Sequence, residues 1–498
     1  MTVMAAVDIG AQSGRVAVGR FDGERLEVTE VHRFANTPLD QGGRLEWDIQ
    51  TIHRDVVDGL GRAAAAAGTE AVDSVGVDSW GVDFGLLDRN ETLIANPVHY
   101  RDSRRANAYE AALELVPARE LYERTGIQLM PINTVFELAA LAAAGDPALE
   151  EAATLLLIPD LLHHWLCGSR VTELTNATTT QCYDSREGAW VTDLLERLGV
   201  PARIFPTVVG PCSPLGPVLA DVADATGLHG AQVVAVATHD TGSAVAAVPF
   251  RRPGTAFISS GTWSLVGAEL ADPLIDDRTF AANLTNEGGI AGTSRLLRNV
   301  TGLWLLHECR RIWASVGEHR SYDELVALAA DAPALGSLVD PDDPSFAEPG
   351  DMPERIRAFC RETGQAPPEG APAIVRCILE SLALKQAYTV DILRSVTGLT
   401  LDEIHIVGGG ARNELLCRWT ADAAAAPVLA GPEEATMIGN LLGQALALGE
   451  LSSLEEVREV VRTSFEPNVY QPSGAADWAE ARDRFAALVS RNGVEALA

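Results

Sequence analysis

The feature that most constrains the fold is a strand–turn–strand pattern that occurs twice, once near the start of the chain and once just past its middle. Residues 4–21 read MAAVDIGAQSGRVAVGRF, and residues 255–270 read TAFISSGTWSLVGAEL. In each, an apolar run leads into a turn of small, polar and glycine residues and then into an alternating strand. A repeat of this kind predicts two related domains. At 498 residues the chain is also too long for a single core, so we predict two α/β domains, residues 1–250 and 251–498.

The turn of the first hairpin has the composition of an anion-binding turn. Gly10, Ser13 and Gly14 let backbone N–H groups approach an anion closely. The same residues also suit an ordinary glycine-containing hairpin, so the turn alone does not decide between the two.

A candidate catalytic carboxylate stands between the two hairpins. The stretch 233–248 reads VVAVATHDTGSAVAAV, which predicts a buried strand followed by a short helix, with Asp240 at the junction. Ligands of open α/β sheets bind at such strand ends. A helix N-terminus favours negative charge, so we expect Asp240 to be ionised and able to accept a proton.

Other polar residues are predicted to surround a ligand in the first half. The stretch 76–88 reads GVDSWGVDFGLLD, in which Asp78 and Asp83 could accept from hydroxyl groups and Trp80 could cover C–H surface, as in a polyol site. A tight hairpin with a packed indole is the alternative. Arg101 beside Asp102 could orient a substrate-facing carboxylate, and the apolar run 155–166 predicts a helix.

The chain excludes the common lysine-dependent nucleotide sites. Lys385 is its only lysine and lies in a predicted helix, whereas P-loop enzymes and protein kinases place a lysine on the phosphates. A glycine turn, residues 408–413 (GGGARN), follows a predicted strand and precedes a helix, where a ligand can lie on the backbone. It is not GxGxxG, which disfavours a dinucleotide site.

The composition limits which partners the protein can bind and in which cellular compartment we expect it. The net charge of −31 argues against nucleic acid and anionic membranes, and we expect neither a membrane span nor a secretory signal. The seven scattered cysteines lack a CxxC pair, which disfavours zinc. Cys360 and Cys377 could pair, although we expect reduced thiols in a cytoplasmic protein.

Taken together, four motifs resemble the FGGY family of carbohydrate kinases in order and approximate spacing, across essentially the whole chain. They are DIGAQSGR at 8–15, THDT at 238–241, SSGTW at 259–263 and GGGARN at 408–413. The resemblance implies two related domains of the actin and hexokinase type (ribonuclease H-like), a cleft between them, and phosphoryl transfer from ATP–Mg²⁺ to a small sugar by a monomer or homodimer. The stretches 76–88, 258–267, 299–306 and 337–353 favour a member that phosphorylates L-rhamnulose at its 1-hydroxyl.

The resemblance also implies individual roles. Asp240 matches the catalytic base, and Asp8 would help to hold Mg²⁺. The implied sugar-binding residues are Gly81, His239, Thr241 and Asn299. The implied nucleotide-binding residues are Ala11, Gln12, Ser13, Gly14, Arg15, Thr262, His307 and Gly410. His307 departs from the family, which usually has Gln at this nucleotide contact.

Three alternatives remain open from the sequence. One is the same chemistry on another ketose or polyol, such as L-fuculose or L-xylulose, with residues 78–83 setting the choice. Another is an actin-like ATPase or a non-catalytic sugar sensor, and Asp240 argues against the sensor. An NAD-dependent oxidoreductase is the most distant.

Overall fold

The fold is described from a computed structural model, which covers residues 1–492 of the chain. Its strands are β1 (Thr2–Ile9), β2 (Ser13–Phe21), β3 (Leu26–Ala35), β4 (Leu39–Asp40), β5 (Leu45–Glu46), β6 (Ser74–Ser79), β7 (Phe84–Leu87), β8 (Thr154–Leu157), β9 (Thr172–Glu173), β10 (Tyr183–Asp184), β11 (Ala189–Trp190), β12 (Val208–Val209), β13 (Ser213–Pro217), β14 (Gln232–Ala235), β15 (Ala256–Ser260), β16 (Trp263–Leu270), β17 (Thr285–Gly288), β18 (Ser294–Thr301), β19 (Ile404–Val407), β20 (Val428–Ala430) and β21 (Asn468–Tyr470).

The helices are α1 (Ile49–Ala67), α2 (Ser103–Leu115), α3 (Ala118–Thr125), α4 (Thr134–Ala144), α5 (Pro147–Glu151), α6 (Ile158–Cys167), α7 (Leu174–Ala177), α8 (Thr192–Arg197), α9 (Ala220–Thr226), α10 (Asp240–Ala246), α11 (Asp277–Ala281), α12 (Trp304–Ser315), α13 (Tyr322–Ala330), α14 (Met352–Glu362), α15 (Gly370–Thr397), α16 (Glu414–Ala424), α17 (Ala435–Ala447), α18 (Leu454–Ser464) and α19 (Ala475–Val489). None of the helices in the described part of the chain is long and apolar enough to cross a membrane.

The two large sheets share one topology. The first has the order β13-β14-β6-β1-β2-β3, and the second has the order β17-β18-β16-β15-β19-β20-β21. In each, the hairpin pairs antiparallel (β1 with β2, β15 with β16), and a parallel strand joins the other side of the first hairpin strand (β6, β19). The repeat predicted from the two hairpins is therefore confirmed as a repeat of topology, and the fold is the expected two-domain mixed α/β fold.

Helices α10 and α17 connect the two sheets. Leu441 of α17 packs with Met4 of β1 and Val245 of α10 in one apolar cluster. The helices cross closely at Gly439, because a Cβ atom there would lie 1.8 Å from the carbonyl oxygen of Ser243. A helix from the second half of the chain thus covers strands of the first sheet, and the two halves share a core.

The predicted helix over residues 155–166 is wrong in its first part. Residues 154–157 form β8, which pairs antiparallel with β7, and α6 begins only at Ile158 with Pro159 in its first turn. A run that is apolar on all sides suits either a buried strand or a buried helix. Tertiary pairing with β7 decides the first part, and the proline, which is favoured in a first helical turn, starts the second.

Candidate active site

A cavity of about 450 Å³ lies between the two sheets. One group of lining residues comes from the two hairpin turns and the glycine turn. The other comes from the end of β6, the segment between α3 and α4, the short 3₁₀ helix at residues 178–180 and the β17–β18 hairpin. It includes Trp80, Gly81, Val82, Gln128, Asn133, Thr179, Glu287 and Asn299. Asp8, His239, Asp240 and Thr241 also line it. The two hairpin turns, the glycine turn and polar side chains from distant parts of the chain therefore share one cavity.

Asp240 is the first residue of α10, as the sequence predicts. Its Oδ1 accepts hydrogen bonds from the backbone N–H and, at 3.0 Å, from the hydroxyl of Thr241. The Asp240 side chain is 33% exposed, and it faces the cavity. The carboxylate is held at a helix start with one face open to a ligand.

The environment of Asp240 makes it a better base than an exposed aspartate. Burial by the cavity walls and the nearby charge of Asp8 raise its pKa, while His239 and the hydrogen bonds from Thr241 act in the opposite direction. The helix N-terminus, from which an ionised Asp240 is predicted, favours the charged form. The net pKa shift is upward, and a carboxylate with a raised pKa accepts a proton more readily.

His239 is held by a buried ion pair that the sequence analysis did not find. Its Nε2 lies 3.4 Å from Oδ1 of Asp240, and its Nδ1 lies 3.1 Å from Oε2 of Glu287. The fully buried Arg295 lies 3.2 Å from the same Glu287 oxygen. Both residues stand on the β17–β18 hairpin, more than forty positions after His239. Only long-range strand pairing brings them together, so no local sequence signal could identify them.

The first hairpin turn presents charge to the cavity. Arg15 contacts the carboxylates of Asp8 and Glu434, and these charges raise the pKa of Arg15 despite its partial burial. Asp8 and Asp78 are register partners on β1 and β6. The buried Oδ1 of Asp78 has no hydrogen-bond partner, while its Oδ2 accepts from Asn440 at 2.6 Å. Burial and the charge of Asp8 raise the pKa of Asp78 well above its ordinary value.

The predicted nucleotide residues differ in where they lie. Ala11, Arg15 and Thr262 line the cavity. Gln12, Ser13, Gly14, Gly410 and His307 are outside that lining.

The surroundings of two residues outside the lining, Gly410 and His307, differ in kind. At Gly410 a Cβ atom would lie 2.0 Å from Oγ of Ser260, so this glycine permits close packing of the glycine turn on the second hairpin, while Gly409 has open space beside it. The ring of His307 is largely buried, its Nδ1 has no hydrogen-bond partner, and burial lowers its pKa.

The carboxylates predicted to accept from a polyol do not reach the cavity, which corrects that expectation. Asp78 and Asp83 are 0% and 1% exposed. Asp83 accepts from the indole N–H groups of Trp47 (2.6 Å) and Trp80 (2.9 Å), and its Oδ1 lies 2.6 Å from Arg105. Asp83 thus orients the indole of Trp80, and it is Trp80, Gly81 and Val82 that face the ligand space.

The prediction for Arg101 and Asp102 is also wrong. Asp102 caps α2 by accepting from the backbone N–H of Arg104, and it pairs with the Arg104 side chain. The Arg101 guanidinium instead lies 4.3 Å from the ring centre of Trp304 and 5.5 Å from that of Trp263, both in the second domain. Arg101 is therefore a contact between the domains.

The only lysine of the sequence forms ion pairs with two aspartates. Nζ of Lys385 lies 2.8 Å from Asp340 and 2.9 Å from Asp342 in the acidic loop 337–353, and Oδ1 of Asp342 accepts from the backbone N–H of Thr301. Lys385 anchors this loop and takes no part in the cavity. The seven cysteines, Cys360 and Cys377 included, are free thiols.

Known proteins match this chain over nearly its whole length. Residues 3–247 match the model of the N-terminal domain of the FGGY family of carbohydrate kinases, and residues 256–448 match that of its C-terminal domain. The chain is 42% identical over 473 residues to a rhamnulokinase of Bacteroides thetaiotaomicron, covering 95% of this chain and 96% of that protein. It is 40% identical over 492 residues to a rhamnulokinase of Pectobacterium carotovorum, covering 97% and 96%.

Solved structures share the fold at lower identity. A xylulose kinase of Lactobacillus acidophilus superposes with a TM-score of 0.81 at 16% identity, covering 100% of this chain and 99% of that chain. A glycerol kinase of Plasmodium falciparum with ADP superposes with a TM-score of 0.78 at 16% identity, covering 99% and 98%. At such identity the likeness concerns the fold alone.

Proposed function

This chain belongs to the FGGY family of carbohydrate kinases, and we propose that it transfers the γ-phosphoryl group of ATP to the 1-hydroxyl of L-rhamnulose. The relatives that support this substrate are rhamnulokinases and match nearly the full length of the chain. The observation that carries the proposal is the position of Asp240, a carboxylate with a raised pKa in one cavity with both hairpin turns.

Asp240 is the general base of the proposed reaction. A sugar hydroxyl is a weak nucleophile, and a carboxylate within hydrogen-bond reach accepts its proton as the bond to phosphorus forms, which contributes about 10²- to 10⁴-fold. The hydrogen bonds from Thr241 hold Oδ1, so Oδ2 is the atom that we assign to the substrate proton. His239, Thr241, Asn299 and Gly81 bind the sugar around it.

The two hairpin turns position the phosphates. Positioning and charge neutralisation supply most of the catalysis in phosphoryl transfer. Backbone N–H groups of residues 11–15, the guanidinium of Arg15 and the hydroxyl of Thr262 take the place of the lysine used by P-loop enzymes. Gly410 contributes indirectly, because the absence of a side chain there lets the glycine turn pack on Ser260. Direct contacts of Gln12 and His307 with the nucleotide remain predictions.

A magnesium ion would bind beside the carboxylate of Asp8, which lines the cavity. Carboxylate oxygens are the donors that Mg²⁺ prefers, and it often binds through one or two carboxylates together with substrate phosphates and water. In the described part of the chain, no group of three or more His, Cys, Asp or Glu side chains is placed to hold a metal ion. Asp8 is the residue that would hold the ion, and the bound ion would neutralise charge on the transferred phosphate.

The proposed division of labour follows the two halves of the chain. Residues 1–250 supply Asp240, most of the sugar contacts and the first of the two turns that position the phosphates, and residues 251–498 supply the nucleotide side. Closure of the cleft would exclude water and limit ATP hydrolysis. Use of ATP as the donor supports a cytoplasmic location.

The test is a comparison of ketoses with the purified protein. ADP release is followed by a coupled assay with ATP, Mg²⁺ and L-rhamnulose, L-fuculose or L-xylulose, and the product is examined by ³¹P NMR. We expect the highest kcat/KM for L-rhamnulose and phosphate on its 1-oxygen. A higher kcat/KM for another ketose refutes the substrate, and rapid ATP hydrolysis that no sugar accelerates refutes the sugar kinase reaction.

A further inference from the structure

Gln128 occupies a position at the cavity that none of the roles above explains. It lies in the segment 126–133 between α3 and α4, in the first half of the chain. It is 5% exposed and lines the cavity. Its side chain is therefore buried except where it borders the ligand space.

The Gln128 carboxamide contacts Asn299 of β18 through three hydrogen bonds. Its Oε1 accepts from the backbone N–H of Asn299 at 2.9 Å and from Nδ2 of Asn299 at 3.2 Å, and its Nε2 donates to the Asn299 carbonyl at 3.3 Å. One side chain of the first domain thus binds both the backbone and the side chain of a sugar-contact residue in the second.

These bonds decide what Asn299 can offer to a ligand. Its Nδ2 donates to Oε1 of Gln128 at 3.2 Å, so one of the two N–H groups of the amide nitrogen is used within the protein. This bond fixes which end of the amide faces Gln128. It leaves Oδ1 of Asn299, an acceptor, for a sugar hydroxyl that donates.

The segment that carries Gln128 is itself held in place. Nδ2 of Asn133 donates to the Gln128 carbonyl at 2.8 Å, and Nε2 of Gln181 donates to the Ile127 carbonyl at 3.0 Å. The backbone N–H of Leu129 donates to Oδ1 of Asn283 in the second domain at 2.8 Å. Gln128 is consequently fixed relative to both domains.

We propose that Gln128 is a positioning residue for the sugar: it orients Asn299 so that Oδ1 of Asn299 accepts from a substrate hydroxyl. The inference rests on the proposed function, in which Asn299 binds the sugar. Without Gln128, the backbone N–H of Asn299 loses its acceptor and the amide is free to rotate. The rotating amide then presents its N–H group to the sugar as often as its oxygen.

The experiment measures sugar affinity apart from turnover. L-rhamnulose is titrated calorimetrically into the wild type, Gln128→Leu and the isosteric Gln128→Glu, without ATP. We expect the Kd for the sugar to rise about 10- to 100-fold in Gln128→Leu, because a buried hydrogen-bond network is broken. The rise should be smaller in Gln128→Glu, because its carboxylate still accepts from the two N–H groups of Asn299 and only the bond to the Asn299 carbonyl is lost. The KM for ATP should stay within about twofold, because the side-chain hydrogen bonds of Gln128 go to Asn299 on β18 rather than to the hairpin turns.

Two further variants separate positioning from a general loss of structure. Tyr122→Phe removes a hydrogen bond to the Leu284 carbonyl across the same domain contact, away from the cavity lining, and should leave the sugar Kd unchanged. Adding Gln128→Leu to Asn299→Ala should change the Kd by less than about threefold, because residues that act through one another are not additive.

The outcomes distinguish the two proposals. A Gln128→Leu Kd within about twofold of the wild type, fully additive effects with Asn299→Ala, or an equal effect of Tyr122→Phe overturns the role of Gln128. A wild type that binds the sugar but transfers no phosphate refutes the proposed function, while the Kd values still decide the role of Gln128. If the wild type binds no ketose of the panel, both proposals fail.

Discussion

Replacing Asp240 with asparagine tests the centre of the proposed mechanism with little disturbance of the fold. The amide oxygen of asparagine can keep the two hydrogen bonds from Thr241 that now hold Oδ1, while the amide nitrogen cannot accept a proton. Loss of a general base costs about 10²- to 10⁴-fold in rate, which corresponds to about 2.7–5.4 kcal/mol in the activation free energy at 1.36 kcal/mol per decade.

The same substitution should not destabilise the protein. Burial and the charge of Asp8 raise the pKa of Asp240. At neutral pH, the ionised carboxylate is therefore less stable in the folded protein than in the unfolded chain. An acid whose folded pKa is raised lowers stability as pH rises above its unfolded pKa. Removing the charge should therefore leave the Tm at pH 7 unchanged or higher, while activity falls.

The assay compares kcat, sugar Kd and Tm for Asp240→Asn and for Asp221→Asn. Asp221 is a fitting control, because it is an exposed aspartate in the first turn of α9 and also accepts from the next backbone N–H. Only the Asp240 variant should lose turnover, with its sugar Kd within a few-fold of the wild type. If it retains more than about a tenth of wild-type kcat, Asp240 is not the base.

Three more predictions follow from the described contacts. Arg101→Ala should raise the KM of both substrates about 5- to 20-fold in steady-state assays, because its cation–π contacts join the domains; a KM equal to that of the wild type contradicts this. Gly410→Ala should lower stability by about 1–3 kcal/mol in urea unfolding through overpacking, whereas Gly409→Ala, which has open space, should not; equal losses refute the packing role. Burial raises the pKa of Glu137 to about 7, although this side chain contacts Arg105. The unfolded chain therefore loses this proton at a lower pH than the folded protein does, and the free energy of unfolding should fall as the pH rises from about 4.5 to 7. In Glu137→Gln, unfolding curves taken across this pH range should show a smaller decline in the free energy of unfolding. A decline equal to that of the wild type contradicts the role of Glu137.

Much of the architecture could be predicted from short stretches of sequence. The two hairpins at residues 4–21 and 255–270 are defined by side-chain alternation and by glycines in the turns, which are local properties. The junction at Asp240 is local as well, because a buried strand and a short helix meet there. These predictions are confirmed because neighbouring residues alone set the conformation.

Local pattern was not sufficient where one stretch suits two structures. The apolar run that begins at Leu155 was predicted to be entirely helical, yet its first residues pair with β7. Hydrophobic periodicity cannot separate a short buried strand from a buried helix, and the partner strand lies about seventy residues earlier in the chain.

The sequence by itself determined the repeated domain, the family and the residue that stands at the strand–helix junction. Only the tertiary structure decided which polar groups face the ligand. Asp78 and Asp83 turn inward to Asn440 and to two indoles, while Glu287 and Gln128, which no motif marks, reach the cavity. The physical reason is that these contacts join residues far apart in the chain. Strand order and register bring Gln128 and Asn299 together, and strand register also sets which face of a sheet a side chain lies on.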